Sequence, residues 1–304
     1  MHGRIVAALL LGLLAGLPAR IANATPSSAC GGLSRDIPAR SPGAPAGSAV
    51  VDQVKTISGP ERDGVVAAEV LSGNIPAFLR HLQPVEFSGK AADGQPLHVV
   101  ICVTPDYLAV GADQDFVRVP LGLPAAAEVA DRLGFLLPTT RMVDAIYAQA
   151  HVHLAPQPMP AGDQMRSTDY FWRHNQTVNA QRAAYGAADD ELVAGQKKDL
   201  VLSKRLLAIP GRVAIYGWHR SEHDPIQPLS TVHGERYADY SHGIRLVSMT
   251  AFVNGAARSL QDLLQDPAIA WLLSSEGPIA GPRAILASLS HHVDGEGRRL
   301  AATR

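Results

Sequence analysis

The chain has 304 residues, 46% apolar and 18% charged, with 27 basic and 28 acidic side chains. That composition supports a large core and excludes a disordered chain, a coiled coil and a collagen-like fibre. The near-zero net charge lacks the basic excess of a nucleic-acid binder, so no nucleic-acid partner is expected.

Residues 1–24 read as a signal peptide. Arg4 gives a positive start, 5–17 form an apolar run too short to span a bilayer comfortably, and Ala22-Asn23-Ala24 supplies a small-x-small cleavage pattern. The expected localisation is secreted or periplasmic. No later stretch is apolar enough for a transmembrane helix. Cys30 and Cys102 are the only cysteines. Two do not make a disulfide framework, and whether they pair is left open. A lipid anchor on Cys30 is poorly supported by the preceding Ser27-Ser28-Ala29. Residues 25–48 hold Pro, Gly, Ser or Ala at 17 of 24 positions and read as a disordered linker. A single globular α+β domain is expected over 49–280, with a flexible tail over 281–304.

Within that domain, 97–103 is a continuous apolar, β-branched run that predicts a buried strand. Short strands follow at 107–110 and 116–119, as in an antiparallel meander. Pro124 opens a helix to about Leu133. A second helix starts near Thr140 as N-cap, with Met142, Val143, Ile146, Tyr147 and Ala150 on one face. A polar helix is expected over 170–184. Strands return at 200–202, 213–216 and 244–247. Ser259-x-x-Asp262 opens a helix, and Asp266-Pro267 starts another through Trp271. Strands in groups interrupted by helices in groups give antiparallel α+β architecture.

The chemistry concentrates between residues 216 and 245. Four of the chain's twelve histidines fall there, His219, His223, His233 and His242, with Asp239 and Arg245 among them. His233, Asp239 and His242 offer two imidazoles and a carboxylate, the ligand types of an open catalytic zinc site, with His219 as a further ligand. Their spacing is one residue short of the His-(six residues)-Asp pattern of zinc carboxypeptidases. The same residues equally suit an acid–base pair in which Asp239 orients an imidazole, with Arg245 as an anion or oxyanion contact. The residues leave zinc and acid–base chemistry both open.

Ser241-His242-Gly243-Ile244-Arg245-Leu246, with His233-Gly234 upstream, resembles the L,D-transpeptidase signature, Ser-His-Gly-Cys-Ile/Val-Arg-Leu/Met preceded by His-Gly. The catalytic Cys of that family has no counterpart, because Gly243 runs straight into Ile244, and the gap from His233 to Ser241 is shorter. The resemblance implies a related active-site turn; the thiol mechanism does not carry over. Residues 213–218 and 239–247 also resemble an uncharacterised family of secreted proteins, which implies no activity.

Other candidates have simpler readings. Cys102 lies in an apolar strand and reads as an inert buried thiol. Ser241 lacks a nucleophile elbow. His151 and His153 flank Val152 after a helix, where histidines commonly meet the last carbonyls. Lys197-Lys198 read as a solvated turn or a site for an anionic substrate. Without a nucleotide-binding Gly-rich loop, the expected function is a hydrolase or transferase acting on a cell-envelope or extracellular polymer. The competing expectation is a non-catalytic binding module using Trp218, Tyr237 and Tyr240 on a polymeric or small-molecule ligand.

Overall fold

The computed structural model describes residues 29–91, 93–186 and 188–285. The expected signal peptide and residues 286–304 of the expected tail lie outside them. The fold is α+β. In chain order, helices α1 (Gly47–Val54) and α2 (Gly59–Leu71) precede strands β1 (Gln83–Lys90) and β2 (Pro96–Val103). A hairpin of β3 (Ala109–Ala112) and β4 (Asp115–Arg118) leads to α3 (Leu123–Arg132), β5 (Phe135–Leu136) and α4 (Thr140–Gln149). Then come β6 (Val152–His153), the long α5 (Thr168–Tyr185), β7 (Val193–Ala194) and β8 (Lys198–Leu200). A single turn, α6 (Arg205–Ala208), precedes β9 (Ile215–His219), β10 (Pro225–Ser230) and β11 (His242–Gly243). The chain continues through β12 (Val247–Ser248), β13 (Thr250–Val253), β14 (Ala256–Ser259), α7 (Leu260–Gln265) and α8 (Ala270–Leu273).

Two sheets matter for the site. The larger centres on β2, which pairs along its whole length with β1 on one edge and with β12 and β13 on the other. Val99, Ile101, Cys102 and Val103 are inaccessible to solvent there, which explains the unbroken apolar run: a strand covered on both faces has no solvent side to alternate with. Each such aliphatic side chain contributes about 1.5–3 kcal/mol relative to exposure. The smaller sheet has the order β10-β9-β8-β11, and its β8–β11 edge is parallel. The hairpin β3–β4 forms its own two-stranded sheet, so the expected meander does not extend to β2.

Local signals act where the sequence carries them. Thr139 caps α4, its Oγ1 accepting from Met142 N at 3.2 Å; the cap is one residue earlier than expected because Thr139 is the last extended residue (ψ 167°). Ser167 and Ser259 cap α5 and α7 in the same way. Gly186, at φ 70°, ends α5 in the left-handed conformation.

Two expectations are corrected. The segment expected as a linker packs against the body from residue 29 onward. Cys30 and Ile37 are buried, Arg40 donates to Asn74 Oδ1 at 2.9 Å, and Arg80 reaches back to Pro38 O at 2.7 Å. Side chains of the body thus satisfy carbonyls of a segment too poor in apolar residues to fold alone. Cys102 is not a free thiol: it is bonded to Cys30 across a sequence separation of 72. Ile285, at the start of the expected tail, is also buried.

Candidate active site

The smaller sheet positions the site. Across the ladder, His242 of β11 is the register partner of Lys198 on β8, and Lys198 is in turn the partner of Gly217 on β9. Residues paired in this way present their side chains to one face. Gly217 at φ 104° and Trp218 at φ 58° form two successive left-handed positions. For a tryptophan that conformation is strained, and it swings the indole under Lys198, whose Nζ lies 5.0 Å from the ring centroid.

The turn before β11 centres on Asp239. Its Oδ1 accepts from Ser241 N at 2.7 Å and from Ser241 Oγ at 2.5 Å, and its Oδ2 accepts from Tyr237 OH at 3.1 Å. Oδ2 is 3.8 Å from His242 Nε2, within ion-pair range but beyond a hydrogen bond. The turn is held from below by Lys197, whose Nζ donates to Tyr240 O at 2.6 Å. Above it, Tyr237 meets His242 edge-on, with centroids 5.7 Å apart, and stacks on His233 at 4.0 Å. His233 and Tyr237 are half-buried, whereas His242 and Asp239 are buried.

Electrostatics follow from this burial. Desolvation lowers the His242 pKa, only partly offset by Asp239, so the imidazole is neutral at pH 7. Burial works to raise Asp239, but His242, the Ser241 hydroxyl and Lys198 outweigh it and hold the carboxyl low. Burial pushes Lys197 down to about 7. Both ring nitrogens of His242 and the indole nitrogen of Trp218 are buried without a hydrogen-bond partner. Buried polar groups are nearly always partnered, so this concentration of unpartnered ones marks the region as unusual.

Three expected assignments do not hold. His219 is not with the other three residues: its Nε2 is 3.1 Å from Asp144 Oδ1 and its ring stacks on Tyr147 at 4.7 Å. Tyr216 OH donates to the same Asp144 oxygen at 2.8 Å. The cause is the chain direction of β9, which carries His219 past the end of β8 towards α4. Among the described residues, no group of three His, Cys, Asp or Glu side chains is arranged to hold a metal ion; the expected zinc set is therefore not assembled. Arg245 is not an anion contact. It is fully buried, donates to Thr104 O at 2.8 Å and Val193 O at 2.6 Å, and lies over the Tyr107 ring at 4.3 Å. Lys197 is no solvated turn but a buried amine.

Other candidates are placed as follows. Ser241 is inaccessible and bonded to a carboxylate, with no imidazole on its hydroxyl. His153 shares a 2.7 Å hydrogen bond with the carbonyl of Tyr147 in the last turn of α4, the helix-end role read from its position. Trp218 and Tyr240 are buried, so with Tyr237 they form no open aromatic face.

Sequence reasoning missed the polar core behind the site. Asp106 accepts from Arg118 Nε at 3.0 Å and Nη2 at 2.5 Å, from Arg182 at 3.3 Å and from Gln196 at 3.0 Å. Burial opposes ionisation of Asp106, yet the two arginines hold it far below the usual carboxylate range. Asp199, by contrast, is pushed up to about 6 by burial, partly offset by Arg245 and by the hydrogen bond from Tyr107 OH at 2.8 Å. His174, on α5, lies 5.0 Å from the Tyr240 ring and also lacks partners on both nitrogens. Gly243 is dictated by this packing, because a Cβ there would lie 2.5 Å from the Tyr107 ring. Comparison with protein-family models, curated proteins and solved structures finds no match for this chain.

Proposed function

We propose that the protein is a secreted or periplasmic hydrolase or transferase acting on a cell-envelope or extracellular polymer, with His242 as general base and Asp239 as its charge partner. One observation carries this reading: His242 is neutral, buried and unpartnered on both ring nitrogens, beside an ionised carboxylate 3.8 Å away. A neutral imidazole accepts a proton from water or a hydroxyl, and Asp239 stabilises the cation that results. A gap longer than a hydrogen bond is common in the resting state of such pairs and tightens with substrate. The half-buried Tyr237 packs on His242, and His233 stacks on Tyr237. The Cys30–Cys102 bridge supports an oxidising compartment. No described helix is long and apolar enough to cross a membrane. The burial of Trp218 and Tyr240 leaves no exposed aromatic stacking face for the binding-module reading.

The test is release of soluble fragments from purified peptidoglycan by the mature protein and by Asp239→Asn. Asn keeps the shape but removes the charge that stabilises the imidazolium. Turnover of the folded variant is expected to fall by about 10²–10⁴-fold, far more than the fraction unfolded by loss of the hydrogen bonds that Asn cannot accept. Full turnover in the variant, or turnover that tracks a bound metal removed by chelator, would overturn the assignment.

A further inference from the structure

The acid–base reading gives neither Lys198 nor Trp218 a contact with ligand. The Lys198 ammonium is held over the Trp218 ring, beside the register partner His242. No hydrogen bond from a protein acceptor engages the indole N–H of Trp218, although that atom is buried and its backbone is strained. Buried donors are nearly always partnered, and strain of this kind gathers at ligand sites. The local charges point the same way. Asp239 is the carboxylate that acts on Lys198, and both Asp239 oxygens are already engaged by Ser241 and Tyr237, whereas Lys197 is shared between Asp239 and Asp106.

We infer that Lys198 and Trp218 form a recognition subsite for a carboxylate group on the ligand, bordered by His242. One carboxylate oxygen takes a charge-assisted hydrogen bond from the Lys198 ammonium, and the other takes the indole N–H of Trp218. The inference rests on the reading of His242 as base only in naming the ligand as substrate. It narrows that substrate to a polymer unit bearing a free carboxylate next to the bond attacked. It also gives Trp218 a hydrogen-bonding role in place of the stacking platform expected from its sequence.

The experiment needs no turnover. The chain has three tryptophans, so a ¹⁵N-labelled sample shows three indole N–H signals, and Trp218→Phe identifies one of them. Lactate and lactamide are then titrated against the folded protein; they match in size and differ in charge. Lactate is expected to move the Trp218 signal saturably while the other two stay in place, and lactamide is expected to leave all three unmoved. Lys198→Gln should weaken lactate binding at least tenfold, and Lys198→Arg should retain it. The inference is overturned if lactate moves nothing, if lactamide acts equally, or if Lys198→Gln binds as well as wild type. Should Lys198→Gln fail to fold, the lactate–lactamide comparison on wild type decides alone. Saturable lactate binding without polymer turnover would leave the subsite standing and remove the catalytic reading. Turnover without lactate binding would do the reverse.

Discussion

Removing the Cys30–Cys102 bridge isolates what ties the N-terminal segment to the sheet. Cys102 is inaccessible within β2, and Cys30 lies 72 residues earlier. Closing a loop of that length removes chain entropy from the unfolded state worth about 4 kcal/mol. Residues 29–46 otherwise hold to the body through a few side-chain-to-carbonyl bonds and Ile37, which do not replace it. The double variant Cys30→Ala/Cys102→Ala avoids leaving a lone thiol in the core. Its melting temperature is expected to drop on the order of 10 °C, at about 2–4 °C per kcal/mol for a domain of this size. Thermal and urea melts of wild type and variant measure the difference, and thiol titration of unreduced native protein should find no free thiol. Two titratable thiols in that sample, or a variant within 1–2 °C of wild type, would refute the reasoning.

Gly243→Ala should destabilise the protein by about 1–3 kcal/mol, because its Cβ would be driven into the Tyr107 ring; urea midpoints measure this, and Tyr107→Leu should relieve most of it. Asp199 bears on pH. Its folded pKa of about 6 exceeds the ordinary 3.8, so the folded state holds the proton more tightly. Its contribution is therefore fully present below about pH 4 and declines by about 3 kcal/mol as pH rises through 6. Asp199→Asn should remove that decline, so the gap between variant and wild type in urea melts should change between pH 4 and pH 7.5; a constant gap would contradict it.

The helical and strand skeleton was legible where periodicity was strong: the apolar run of β2, the faces of α3 and α4, and the Ser259 cap. Asp239 and His242 were legible as a pair because only two residues separate them on one turn. The partner of His219 was not, since Asp144 lies 75 residues away on another element and nothing in either local pattern marks the other. Helices α1 and α2 were hidden by the Pro- and Gly-rich composition around them. The polar core had one readable signal. On α5, His174 shares the i, i+4 row of Tyr170 and Val178, and all three are buried, so polar residues on an otherwise apolar stripe were visible without their partners. Lys197 was misread because a lysine pair suggests solvent, whereas the parallel pairing of β8 with β11 draws the first of the two beneath the Asp239 turn.

The pH dependence of polymer turnover tests the central claim most directly. Burial keeps His242 neutral to below the ordinary imidazole value of 6.5, and a base is active only when unprotonated. Fragment release from peptidoglycan, expressed as kcat/KM, is therefore predicted to hold level from pH 8 down past 6.5 and to fall only at lower pH, with His242→Gln inactive throughout. An acid limb at 6.5 or above, or a His242→Gln variant that keeps the wild-type profile, would contradict the assignment of His242 as the base.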